Sequence, residues 1–90
     1  MADKVRKIGN VSFADVKVGN IVSVGDYYDR VAVGIVEEKK ETRDYKSVGV
    51  RFGFGEELVY VIIEEMEPTN GEPMYELLSI VRSYVYDNQQ

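Results

Sequence analysis

The segment Ser47-Val-Gly-Val-Arg-Phe-Gly-Phe constrains the fold more than any other. Val48, Val50, Phe52 and Phe54 fall on one side of an extended chain, and Gly49, Arg51 and Gly53 on the other. Side chains alternate between the two faces of a strand, so this period of two marks a strand with one buried face. Gly53 and Gly55 then permit a turn, and Leu58-Val-Tyr-Val-Ile-Ile reads as the next strand. Both of its faces are apolar. It is expected to be central, or covered on its second face by the C-terminal segment.

Upstream, Ser12 with Asp15 three residues later predicts a single helical turn. Val16, Val18, Ile21, Val22 and Val24, broken by Gly19-Asn20, give a turn that feeds a strand over 21–25. A polar and aromatic loop, Gly25-Asp-Tyr-Tyr-Asp-Arg, leads into a long strand from Val31, where Val31, Val33 and Ile35 alternate with Ala32, Gly34 and Val36. Small residues on one face let another backbone come close, as at a tight barrel corner. Glu37 to Lys46 holds four acids and four bases. It is expected to be a protruding hairpin with opposite charges on facing strands. Residues 1–10 read as a flexible N-terminal arm and residues 11–90 as a single β-rich domain.

The segment from Pro73 to Asp87 supports two readings. As a helix, Met74, Leu77, Leu78, Val81, Tyr84 and Val85 share one face, with Pro73 at the first helical position and Glu76 in the first turn. As a strand, its alternation breaks at Leu77-Leu78 and Ile80-Val81, while the preceding Asn70-Gly71 favours a hairpin. The helix is the reading taken. The expected fold is thus mainly β: a small antiparallel barrel or curled sheet of four to five strands with a C-terminal helix.

Composition limits the chemistry. The 90 residues contain no His and no Cys. Disulfides, thiolate nucleophiles, Cys-ligated metals and His-based catalysis are therefore excluded. No loop has calcium-ligand spacing, and no Gly-rich phosphate loop is present. Asp26, Asp29, Glu56 and Glu57 are the carboxylates that would have to converge for acid–base work. The expectation is no enzyme, no metal and no cofactor. The longest apolar run, Leu58 to Ile63, is six residues, against about 20 for a membrane helix. The charged N-terminus is no secretory signal. A cytoplasmic protein is expected.

The net charge of −5 is unevenly placed. Residues 1–51 carry ten basic and eight acidic groups, whereas residues 52–90 carry Arg82 against eight acids. The two parts either pair with each other inside one domain or leave an acidic face for a basic partner.

Val16-Lys-Val-Gly-Asn-Ile-Val-Ser-Val-Gly, then Val33-Gly-Ile-Val-Glu, then Val48-Gly-Val-Arg-Phe resembles the small SH3-like β-barrel superfamily, which includes KOW-type and Tudor-type modules. The resemblance covers residues 16–63. It implies binding rather than catalysis, at a rim formed by the first long loop and the loop joining the third and fourth strands. That rim would hold Tyr27, Tyr28 and Arg30, with Asp26 and Asp29, facing Phe54, Glu56 and Glu57. Such a rim would offer an aromatic surface to a peptide or a cage to a cation. The plainer alternative puts Phe54 in the core and Tyr28 over the barrel end. The resemblance thus implies a protein-interaction module; small size, acidity and the lack of catalytic residue types suit, by analogy, an accessory or inhibitory protein of a bacterium or phage. A KOW-like nucleic-acid- or ribosome-binding module is the alternative, with Lys4, Arg6, Lys7 and Lys17, or Lys39, Lys40, Arg43 and Lys46, on phosphates. The net charge opposes it. An uncovered strand edge or apolar helix face would support a homodimer.

Overall fold

The computed structural model describes residues 5–53, 55, 57–67 and 71–83. Six strands form one antiparallel sheet: β1 (Arg6–Lys7), β2 (Asn20–Asp26), β3 (Val31–Glu41), β4 (Tyr45–Phe52), β5 (Val59–Glu65) and β6 (Tyr75–Ser83). Their order across the sheet is β1-β5-β4-β3-β2-β6. Consecutive hairpins build β2 to β5, and β6 returns along the far side of β2.

The alternation read from the sequence sets the two faces. Val48, Val50 and Phe52 of β4 are buried, as are Val36 of β3, Val22 and Val24 of β2, and Val61 and Ile63 of β5. Val16 and Leu77 complete the core. Each such side chain, fully buried, contributes about 1.5–3 kcal/mol. Gly34 faces inward on β3, where an added Cβ would lie 2.6 Å from Val50 Cγ1 and 2.7 Å from the Arg51 carbonyl oxygen. The sheet coils tightly there because no side chain intervenes.

The curl brings the two edges of the sheet within reach of one short segment. The Ile8 N–H donates to the Ile63 carbonyl of β5 at 2.8 Å, and the Asn10 N–H to the Leu77 carbonyl of β6 at 3.1 Å. Ile8 is buried, and Gly9 between them has a φ of 82°. Within the arm expected over residues 1–10, Arg6–Lys7 thus pair with β5, and Ile8 to Asn10 tie β5 to β6.

Three expectations need correction, the strand number first: six strands occur among the described residues, where four to five were expected. Tyr75–Ser83 is a strand, not a helix, and no α-helix occurs among the described residues. Leu77 pairs with Val24, Ser79 with Ser23, Ile80 with Val22 and Arg82 with Ile21. Leu78 and Val81 are therefore extra residues at two register shifts. These bulges produce the Leu77-Leu78 and Ile80-Val81 doublets that imitate helical spacing. Tyr84 and Val85 of the expected helix lie outside the described residues. The third correction concerns β3 and β5. With no helix among the described residues to pack on the outer face, Val31, Val33, Ile35 and Tyr60 are exposed.

The remaining expectations sit close to the observed elements. A 3-10 turn spans Phe13–Asp15 after Ser12. The charged hairpin is strand almost to its tip: Glu41 pairs with Lys46, and Thr42 closes the turn by accepting and donating around Tyr45. Among the described residues, ion pairs join the slightly basic first part to the acidic second part, as in Arg6–Glu65 at 3.6 Å and Lys46–Glu64 at 3.9 Å.

Candidate functional site

The β2–β3 loop, Asp26 to Arg30, is ordered by one carboxylate. Asp26 Oδ1 accepts from the Tyr28 N–H at 2.8 Å and the Arg30 N–H at 2.9 Å, and Oδ2 accepts from Arg30 Nε at 2.8 Å. The Asp26 N–H donates to the Arg30 carbonyl, and Asp29 sits at a φ of 65°, a conformation that Asp tolerates. The Arg30 backbone N–H is the main cause holding the Asp26 carboxyl below its ordinary value; the Arg30 side chain and the Tyr28 N–H add to it, and partial desolvation opposes.

This clamp presents two aromatic rings. Tyr27 and Tyr28 are 60% and 72% exposed, with centroids 5.5 Å apart and planes at 90°. The Arg30 guanidinium lies 5.2 Å from the Tyr28 ring centroid. Tyr28 thus does not cover the end of the sheet, as the plainer sequence reading had it. Large exposed rings, held at both backbone and side chain, lose little entropy when a partner covers them.

Hollows lie on both sides of the loop. One is a cleft of about 370 Å³ at the mouth of the curled sheet, with Val24, Ala32, Phe52 and Val59 as its apolar lining and Tyr75, Asp26 and Arg30 around it. The other, about 420 Å³, is lined by Tyr27, Pro73 and four carboxylates, those of Asp26, Asp29, Glu72 and Glu76. Of the residues expected at the rim, Tyr27, Tyr28 and Arg30 are brought together. Glu57 is exposed and lines neither hollow. Phe54 and Glu56 lie outside the described residues. Sequence reasoning missed Tyr75, Glu72 and Glu76, because the helix reading took Tyr75 and Glu76 away from the loop. It also missed the organising role of Asp26, for which an Asp four residues before an Arg in a polar loop was the available signal.

At the opposite end, basic groups gather on Phe13. Lys39 Nζ donates to the Phe13 carbonyl at 2.8 Å and lies 4.1 Å from its ring centroid, with Lys46 Nζ at 5.6 Å. Burial lowers the Lys39 pKa first, and neighbouring Lys17 and Lys46 lower it further against the pull of Glu41. Lys46 also pairs with Glu41 and Glu64. Arg6 pairs with Glu65, and Lys40 lies over the Tyr60 ring. The cations expected to meet phosphates are thus partly engaged within the chain; Lys4 lies outside the described residues.

Among the described residues, no cluster of three or more acidic side chains has a geometry that holds a metal ion. None of their helices is long and apolar enough to cross a membrane. Comparison with protein families, with curated proteins and with solved structures finds no match for this chain.

Proposed function

We propose that this chain is a non-catalytic protein-interaction module of the cytoplasm, an SH3-like curled sheet that binds a protein partner through the Tyr27–Tyr28 rim. One observation carries the reading. The two most exposed aromatic rings among the described residues, Tyr27 and Tyr28, stand edge to face on a loop clamped by Asp26. Tyrosines of this kind are enriched among the anchors of protein interfaces. The apolar cleft and the acidic hollow on either side give such a partner both a dry and a charged contact. Catalysis has little support in the same place. The best-placed carboxylate, Asp26, is engaged by three N–H donors and held ionised. An accessory or inhibitory protein is the role such a module would suit.

The test is partner capture from native lysate with the Tyr27→Ala/Tyr28→Ala variant beside the parent chain. Binding should fall at least about tenfold, since truncating an aromatic anchor costs on the order of 1–2 kcal/mol. Unchanged capture by a variant that melts like the parent sinks the rim. A nucleic-acid role is the second reading, favoured by the Lys17, Lys39 and Lys46 group around Phe13. It would show as RNA or DNA binding at about 0.15 M salt with a steep salt dependence.

A further inference from the structure

We propose that the partner segment taken at the Tyr27–Tyr28 rim is a basic one: an extended peptide that sets a bulky apolar side chain in the cleft and a Lys or Arg in the neighbouring acidic hollow. The proposal rests on the reading of the rim as a protein-binding site and names the chemistry of what binds there.

The cleft supplies the anchor point. Val24, Ala32, Phe52 and Val59 line it, with Tyr75 beside them. Its volume of about 370 Å³ lies at the small end for ligand pockets, so it takes one or two side chains rather than a packed helix. The charged residues around it, Asp26 and Arg30, are paired with each other at 2.8 Å. An apolar side chain therefore enters past charges that are already matched.

The hollow on the other side of the loop decides the charge of the occupant. Alternation along β6 sends Tyr75 to the cleft and Glu76 to the hollow, and Asp26 borders both. Arg30 balances Asp26. Asp29, Glu72 and Glu76 are exposed, and no ion pair to any of them is found among the described residues. Glu72, Pro73 and Glu76 also border a further hollow with Arg6 and Lys7. Arg6 is held there by Glu65 and by the Gly71 carbonyl, which leaves Lys7 to face three carboxylates. The excess of negative charge draws in a cation and turns away phosphates and acidic peptides. The Tyr27 ring lines the same hollow and offers the cation an aromatic face. Successive side chains of an extended peptide point to opposite sides. A segment crossing the rim thus reaches the cleft with one residue and the hollow with the next.

The test is selection of phage-displayed random peptides on the full chain, followed by titration of the selected sequences as free synthetic peptides. These should carry Lys or Arg next to Phe, Leu, Ile, Met or Trp. Replacing the basic residue of such a peptide by Gln should weaken binding about fivefold, and Glu72→Gln/Glu76→Gln in the protein should do the same, as expected for exposed ion pairs. Both losses should shrink as salt is raised. Replacing the bulky apolar residue of the peptide by Ala should weaken binding about tenfold. The changes made in the peptide leave the protein untouched, and the melting temperature checks the fold of the Gln variant. Peptides that need Tyr27 and Tyr28 but tolerate both charge changes overturn the basic occupant and leave the rim standing. So do selected sequences rich in Asp and Glu. Peptides indifferent to Tyr27→Ala/Tyr28→Ala, or a selection that yields none, overturn the rim and this proposal together.

Discussion

At the scale of single residues, Asp26 carries more of the candidate site than either tyrosine it presents. Its carboxylate is the common acceptor for two backbone N–H groups and a guanidinium. The folded-state pKa lies below the ordinary aspartate value, which is about 3.9 in an unfolded chain. The sign follows from linkage. The stabilising contribution is fully present above that unfolded value and is lost as pH falls through the lower folded one. The loop should therefore stay ordered at neutral pH and loosen only as pH falls below the ordinary aspartate value. An NMR titration of the Asp26 side-chain carbon should give a midpoint below about 3.9, with the Tyr28 and Arg30 amide signals moving together with it. A midpoint at or above that value would mean the clamp does not hold in solution. Tyr60 shows the opposite direction: its hydroxyl donates to Glu38 Oε1 at 2.8 Å, and that bond first, then burial and the Glu38 charge, raise its pKa.

At the scale of elements, the segment Ile8–Asn10 joins strands that the order of the sheet places at opposite sides. Gly9 is the residue that makes this possible. Its φ of 82° suits glycine, and a Cβ there would lie 2.6 Å from the Leu77 carbonyl oxygen. Gly9→Ala is expected to cost about 1–3 kcal/mol. Hydrogen exchange should report lost protection at the Ile8 and Asn10 amides, while the β2–β4 amides keep theirs. Uniform loss across the sheet would instead mean that the segment is part of one cooperative unit. The central strands were legible in the sequence because β-branched alternation survives in them. Val48, Val50 and Phe52 point inward as their spacing demands. The last strand was not legible for a physical reason. Bulges at Leu78 and Val81 each insert one residue, which shifts the period of two into a run of three and four. The arm before β2 hid its attachment too, since Arg6 and Lys7 read as solvated charges and Ile8 stands alone among polar neighbours. At the rim, Tyr27, Tyr28 and Arg30 were readable as one loop, whereas Tyr75 and Glu76 required the right assignment of β6.

At the scale of the whole molecule, the uneven charge resolves into two parts. Some acids of the second part meet bases of the first, as in Arg6–Glu65 and Lys46–Glu64. Others, Glu72 and Glu76, gather beside Asp29 and Tyr27 at the rim. Topology sets a further property. The last described strand, β6, pairs with the first long one, β2. Long-range pairing of this kind slows folding, because the loop must close before its contacts form. Refolding by stopped-flow fluorescence should take milliseconds to seconds, and completion within tens of microseconds would contradict the pairing order. The same pairing matters while the chain is being made. A ribosome that has released β2 to β5 has produced four of the strands, yet β2 still shows a bare edge, and Leu77 is missing from the core. The sheet can be sealed only after β6 emerges, so the nascent chain remains sticky along β2 until then. Until that pairing forms, the β2 edge is accordingly expected to invite nascent-chain chaperones.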